Sequence, residues 1–155
     1  MGYIMETGNT CWTQSVTGVV IHEEKVLLVR HTYGDGKGLL IVPGGYICQG
    51  ELPQEALIRE FLEETGILIS PRELIAVRFN LKDWYVAFRA DYVFGTAVSD
   101  NDENNEAVWL NVQEALSRED VPDLTKKLIE CALRPGGFNV IPYNGKNPPY
   151  QLYGI

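Results

Sequence analysis

Between Gly45 and Ile67 the sequence runs GYICQGELPQEALIREFLEETGI, and it gathers Glu51, Glu60, Glu63 and Glu64 around one guanidinium, Arg59. Like charges three or four residues apart on a helix repel by a few tenths of a kcal/mol each. Glu60 stands in that relation to both Glu63 and Glu64. A purely structural helix gains nothing from such crowding. Hard divalent cations do, because they take oxygen ligands from carboxylates, carbonyls and water. Mg²⁺ or Mn²⁺ fits that donor set, and the chemistry such ions serve is attack of water on a phosphate.

The elements that position these groups follow from local pattern. Gln54 to Thr65 has helical periodicity, with Pro53 suited to the first turn and Gly66 to the stop. With Glu55 at zero on the helical wheel, Leu57, Ile58, Phe61 and Leu62 fall between roughly 200° and 340° and face the core. Arg59, Glu63, Glu60 and Glu64 fall between roughly 40° and 180°, three carboxylates sharing one face within about 100°.

Around this helix, Val16–His22 and Lys25–His31 read as a hairpin of two central strands turning at Glu23-Glu24. Tyr33 to Gly38 is glycine-rich but lacks P-loop spacing, so it reads as a connection. Leu39–Val42 is a short strand ending at Pro43-Gly44-Gly45, and the segment from there to Pro53 reads as loop. Leu74–Asn80 and Trp84–Phe94 are strands, the second with Trp84, Val86, Phe88, Ala90, Tyr92 and Phe94 on one face. An acidic loop, Ser99–Asn105, precedes a strand at Ala107–Leu110. Helices are expected at Val112–Ser117 and Pro122–Arg134, the latter with an apolar stripe at Leu124, Leu128, Ile129 and Leu133. Residues 1–14 read as an N-terminal arm or edge segment. Residues 135–155 read as an extended tail, wrapped on the body or on a second subunit, which leaves a homodimer open.

The chain has 155 residues, which is the size of one domain. A net charge of −8 argues against duplex nucleic acid as a partner. It also implies that phosphates, if bound, need cations to screen them. Cys11, Cys48 and Cys131 match no zinc pattern and suggest reduced thiols in a cytoplasmic protein. No secretory signal and no membrane span are seen.

The segment resembles the Nudix box, G-x5-E-x7-R-E-U-x-E-E-x-G-U with U a bulky apolar residue. All its fixed residues are present, with Phe61 where an aliphatic residue is usual. A chance match in such a chain is on the order of 1 in 10⁷. The resemblance implies an α/β/α sandwich around a mixed β-sheet, with the box as loop–helix–loop. It also implies hydrolysis of a nucleoside diphosphate linked to another moiety. Glu60, Glu63 and Glu64 would face the metal, Gly44 would offer its carbonyl, and Arg59 would orient the glutamates. Glu51 would support the loop, beside Gly45 and Gly66. The general base would be a box glutamate or one of Glu103 and Glu106. Arg30, Arg78, Arg89 and Tyr85 are weaker candidates for contact with substrate, each with an ion-pair or packing role as its alternative. His22 and His31 read as ordinary strand-edge residues. A nucleotide-sensing module that binds without cleavage is the competing function, although such proteins usually lose box glutamates.

Overall fold

A computed structural model describes residues 12–155. The element order is β1 (Thr13–His22), β2 (Lys25–His31), β3 (Leu40–Ile41), β4 (Gly44–Tyr46), α1 (Pro53–Thr65), β5 (Leu68–Phe79), β6 (Asp83–Phe94), β7 (Asn104–Asn111), α2 (Val112–Ser117), α3 (Asp123–Leu133), β8 (Asn139–Ile141) and β9 (Leu152–Gly154). Seven strands form one mixed sheet in the order β3-β2-β1-β6-β5, with β4 added to β1 and β7 added to β2. The β1–β6 pair is parallel, and the pairs around it are antiparallel. Most of the expected N-terminal arm, residues 1–11, lies outside the described residues, and β1 begins at Thr13.

The period-2 geometry of a strand sends alternate side chains to opposite faces, and β1 is buried on both. Val16 and Val20 join Leu57 and Phe61 of α1 in one core layer with Phe88 and Ala90. Val19 joins Ala115 of α2 and Leu128 and Ile129 of α3 in the other, with Leu28 and Ala87. The sheet is thus the filling of an α/β/α sandwich, as expected. None of the described helices is long and apolar enough to cross a membrane.

Several local expectations change. Gly44–Tyr46, read as loop, is a strand paired with Ser15–Thr17. Two glycines carry no strand signal of their own, so tertiary contact decides this segment. The β5 strand starts at Leu68, not Leu74. Its Ser-Pro-Arg stretch looks like a turn, but an edge strand tolerates proline, and register shifts absorb it. Leu124 and Leu133 are exposed, and the α3 contact is carried by Thr125, Leu128 and Ile129. In the tail, β8 pairs with β9, Phe138 exchanges backbone hydrogen bonds with Leu74 of β5, and the Tyr153 ring lies 5.4 Å from that of Phe88.

One irregularity creates the cavity. After the hairpin turn, β1 and β2 stay paired only at Ile21–His22 with Lys25–Val26. Then β1 pairs with β4 while β2 pairs with β3 and β7. The splayed sheet leaves a pocket of about 390 Å³ whose walls include Ser15–Thr17, His31, Ile41, Val42 and Gly44–Tyr46.

Candidate metal centre and its cavity

The box helix forms where its sequence says it should. Pro53 fits the first turn, and Glu55 Oε1 accepts from the Leu52 N–H at 2.8 Å. Gly66 ends the helix in the left-handed region at φ 73°, with its N–H donating to Leu62 O at 3.1 Å. Ala56, Leu57 and Phe61 are fully buried against the sheet. Leu62, expected in the core arc, is 46% exposed, so the apolar stripe is narrower than the wheel suggests. Glu60 and Glu64 flank that stripe one turn apart and are only 8% and 3% exposed.

Glycine is required opposite them. A Cβ on Gly45 would lie 2.5 Å from the Glu60 carboxylate carbon, and one on Gly44 would lie 2.2 Å from Val16 O. Only bare backbone can pass between β1 and the carboxylates. The Gly44 N–H donates to Glu64 Oε1 at 3.4 Å.

A third carboxylate arrives from outside the box. The final carbonyls of a helix need partners, and here the loop before β7 and the first residue of β7 supply them. Asn104 Nδ2 donates to Glu64 O at 3.0 Å, and the Val98 N–H donates to Thr65 O at 2.9 Å. Thr32 ties the same loop to the end of β2, its N–H donating to Glu103 O and its hydroxyl to Asp102 O. These bonds bring Glu103 beside the helix. One oxygen each of Glu60, Glu64 and Glu103 then lies within 4.8 Å of the others.

Arg59 organises the rest. Its Nε and Nη2 grip Glu51 at 2.7 and 2.9 Å, and its Nη1 donates to Glu60 at 2.8 Å. Glu51 also accepts from the Cys48 N–H at 2.9 Å, which pins the loop to the helix. The guanidinium holds the Glu51 carboxyl down at about 2. Glu63, expected on the metal-facing arc, stays exposed beside Arg59 at 3.3 Å, outside the three-carboxylate cluster. Burial, and then the neighbouring charge of Glu60, push the Glu64 carboxyl up to about 9. Burial also raises Glu60, against the pull of Arg59.

The remaining candidates sort by their partners. Glu106 pairs with Arg30 at 2.8 Å, and Arg30 also meets Asp120 at 3.0 Å and Gly38 O at 2.9 Å, so this pair clasps β2, β7 and the loop before α3. Arg89 is spent on Glu73 and on the carbonyls of Ala132, Arg134 and Gly136, where it fastens the end of α3 and the start of the tail. Neither arginine lines the cavity, whereas Arg78 and Tyr85 both do. The sequence reading missed Asn104, whose side chain joins the two halves of the cluster. An asparagine in an acidic loop carries no signal that separates a tether from a turn residue. It also missed Asp83 and Ser15, and it undervalued His31, which lines the cavity.

The NUDIX domain family model matches residues 12–130. A MutT-like protein of Streptomyces ambofaciens is 34% identical over 86% of this chain and 84% of its own length. An ADP-ribose pyrophosphatase of Methanocaldococcus jannaschii is 35% identical over 41% of this chain. The chain spans 37%, 42% and 26% of the length of three curated relatives it matches. A NUDIX hydrolase structure from Nitrosomonas europaea shares the fold, with a TM-score of 0.71 at 23% identity, covering 79% of this chain and 70% of that one. With the box on a buried helix flank and the family match running from β1 through most of α3, the chain belongs to the Nudix family.

Proposed function

We propose that this chain hydrolyses a pyrophosphate bond in a nucleoside diphosphate linked to another moiety, of the NDP-sugar, dinucleoside polyphosphate or (d)NTP type, with Mg²⁺ or Mn²⁺. The observation that carries this reading is the convergence of Glu60, Glu64 and Glu103 within 4.8 Å in a cavity wall. The donors are all oxygen, and two of the carboxylates are buried with one guanidinium, that of Arg59 on Glu60, to offset them. Glu60 and Glu64 would hold the cation, with the Gly44 carbonyl on β4 as a backbone donor. When bound, such a cation neutralises phosphate oxygens and lowers the pKa of water. Arg59 fixes the Glu60 carboxylate, and Glu51 fixes Arg59. Glu103, the exposed member of the cluster, accepts the proton of the attacking water in this reading. Glu63 serves as a charge partner of Arg59. The partner is a small nucleotide, and the free thiols of Cys48 and Cys131 are in keeping with a cytoplasmic setting.

The test is phosphate or nucleotide release from NDP-sugars, dinucleoside polyphosphates and (d)NTPs, with and without Mg²⁺ or Mn²⁺, comparing the native chain with Glu64→Gln. A loss beyond about 100-fold in the variant is expected, since even outer-shell partners of a metal are worth 10–100-fold. Equal turnover in both proteins would refute the assignment. Nucleotide binding without turnover at any metal or pH would favour the sensing module instead.

A further inference from the structure

The cavity holds a second set of polar groups that the carboxylate chemistry leaves unused. Arg78 of β5 and Tyr85 of β6 line it together, with the guanidinium carbon 4.9 Å from the centre of the Tyr85 ring. The β5–β6 register sets Arg78 opposite Tyr85, so the stack is built into the sheet. Asp83 orients the guanidinium by accepting from Nη2 at 2.9 Å, and it is the one hydrogen-bond partner of Arg78 among the described residues. That carboxylate is already committed. Its Oδ1 accepts from Thr13 at 2.9 Å and from Ser15 at 3.2 Å, and its Oδ2 accepts from Ser15 at 3.0 Å as well as from Arg78. Arg78 Nε is buried without a partner among the described residues, and the side chain as a whole is 38% exposed.

The electrostatic consequence is specific. An arginine whose counter-ion is saturated offers the cavity N–H donors in a planar fork and few acceptors. Arg78 already lays one face on the Tyr85 ring, so a base meets it edge-on through its in-plane N–H groups, and Val16, Ile41 and Val42 supply apolar wall for the base ring. The N–H groups of Arg78 that Asp83 leaves unused select a base edge that presents acceptors. A 6-oxopurine offers O6 and N7 to arginine, whereas adenine replaces the oxygen with an amino donor.

Resting on the nucleotide reading above, we infer that the Arg78–Tyr85 stack, oriented by Asp83, is the nucleobase subsite of this cavity and prefers 6-oxopurines to adenine. Arg78 is then a specificity-determining residue, and Ser15 and Asp83 are its positioning residues.

Inosine and adenosine differ at C6 in this respect, carry no phosphate and need no metal. Their binding to the full chain, followed by calorimetric titration and ligand-observed NMR, isolates the subsite from the chemistry. Inosine should bind about tenfold more tightly, within the range of one good arginine–base pair. Arg78→Lys keeps the charge but loses the fork, and it should reduce the ratio to about twofold or less. Arg78→Ala should do the same, with circular dichroism reporting its fold. A native chain that binds adenosine as well as inosine overturns the inference. So does an Arg78→Lys protein that keeps the preference. If both variants unfold, the native ratio decides alone. Preference without turnover of any nucleotide defeats only the hydrolase reading. Turnover without preference defeats only this one.

Discussion

Replacing Glu64 by glutamine should stabilise the metal-free protein, an unusual result for a buried residue central to a site. The Glu64 carboxyl is 3% exposed, and burial with the Glu60 charge raises it from 4.5 to about 9. The folded state therefore holds this proton more tightly than the unfolded chain does. The contribution is fully present below pH 4.5 and is lost as pH rises towards 9. By linkage, the folded state gives up about 3 kcal/mol between pH 4.5 and pH 7, and about 6 kcal/mol by pH 9. Glutamine cannot ionise, yet its Oε1 can still accept from the Gly44 N–H. In EDTA at pH 8, Glu64→Gln should melt about 10 °C or more above the native chain, at roughly 2–4 °C per kcal/mol for a chain of this size. At pH 5 the two should nearly coincide. Adding Mg²⁺ should raise the native melting temperature and leave the variant almost unchanged, because a ligand stabilises only what it binds. A variant less stable than the native chain at both pH values would refute the idea that carboxylate crowding is the dominant strain at this site.

Glu103 and Glu106 should separate cleanly. Glu103→Ala should weaken the Mg²⁺-induced rise in melting temperature at least tenfold in midpoint, and Glu106→Ala should leave that midpoint alone. Glu106→Ala should cost only about 0–1 kcal/mol, the usual worth of a partly exposed pair such as that with Arg30. Equal effects on the metal midpoint would show that Glu103 is no part of the centre. At the β1–β2 turn, Glu23 and Glu24 occupy the left-handed region at φ 51° and 66°. Asn-Gly suits that two-residue turn far better. The double change Glu23→Asn, Glu24→Gly should add about 1–2 kcal/mol, read as a higher midpoint in urea, and no gain would mean that the glutamates are not strained.

The parts of this molecule legible in sequence are those decided locally. The box helix was readable because Pro53, Gly66 and the apolar positions agree with one another, and β2 because its apolar run is uninterrupted. The strand at Gly44–Tyr46 was not readable, since its reason lies elsewhere: a carboxylate of α1 and a carbonyl of β1 stand where side chains would go. Glu103 and Glu106 were indistinguishable in sequence for a similar reason. Three residues apart in an acidic stretch, they are separated by the register shift at Arg30/His31 and by Asn104, which reaches back to α1.

That contrast explains how one fold can serve many substrates. Glu51, Arg59 and Glu60 lie within ten residues and bond mainly to one another, so their geometry travels with the segment. Glu64 depends on more. Its side chain meets β4, its carbonyl meets Asn104, and its charge is set by how deeply the surrounding loops bury it. The base-facing groups depend entirely on long-range pairing, since Ser15 meets Asp83 across 68 residues. Changes in β5, β6 or the loop before β7 can therefore alter what the cavity accepts without touching the box. The converse does not hold: moving Glu60 or Arg59 disturbs the loop through Glu51 and Cys48, and with it the β4 wall of the same cavity.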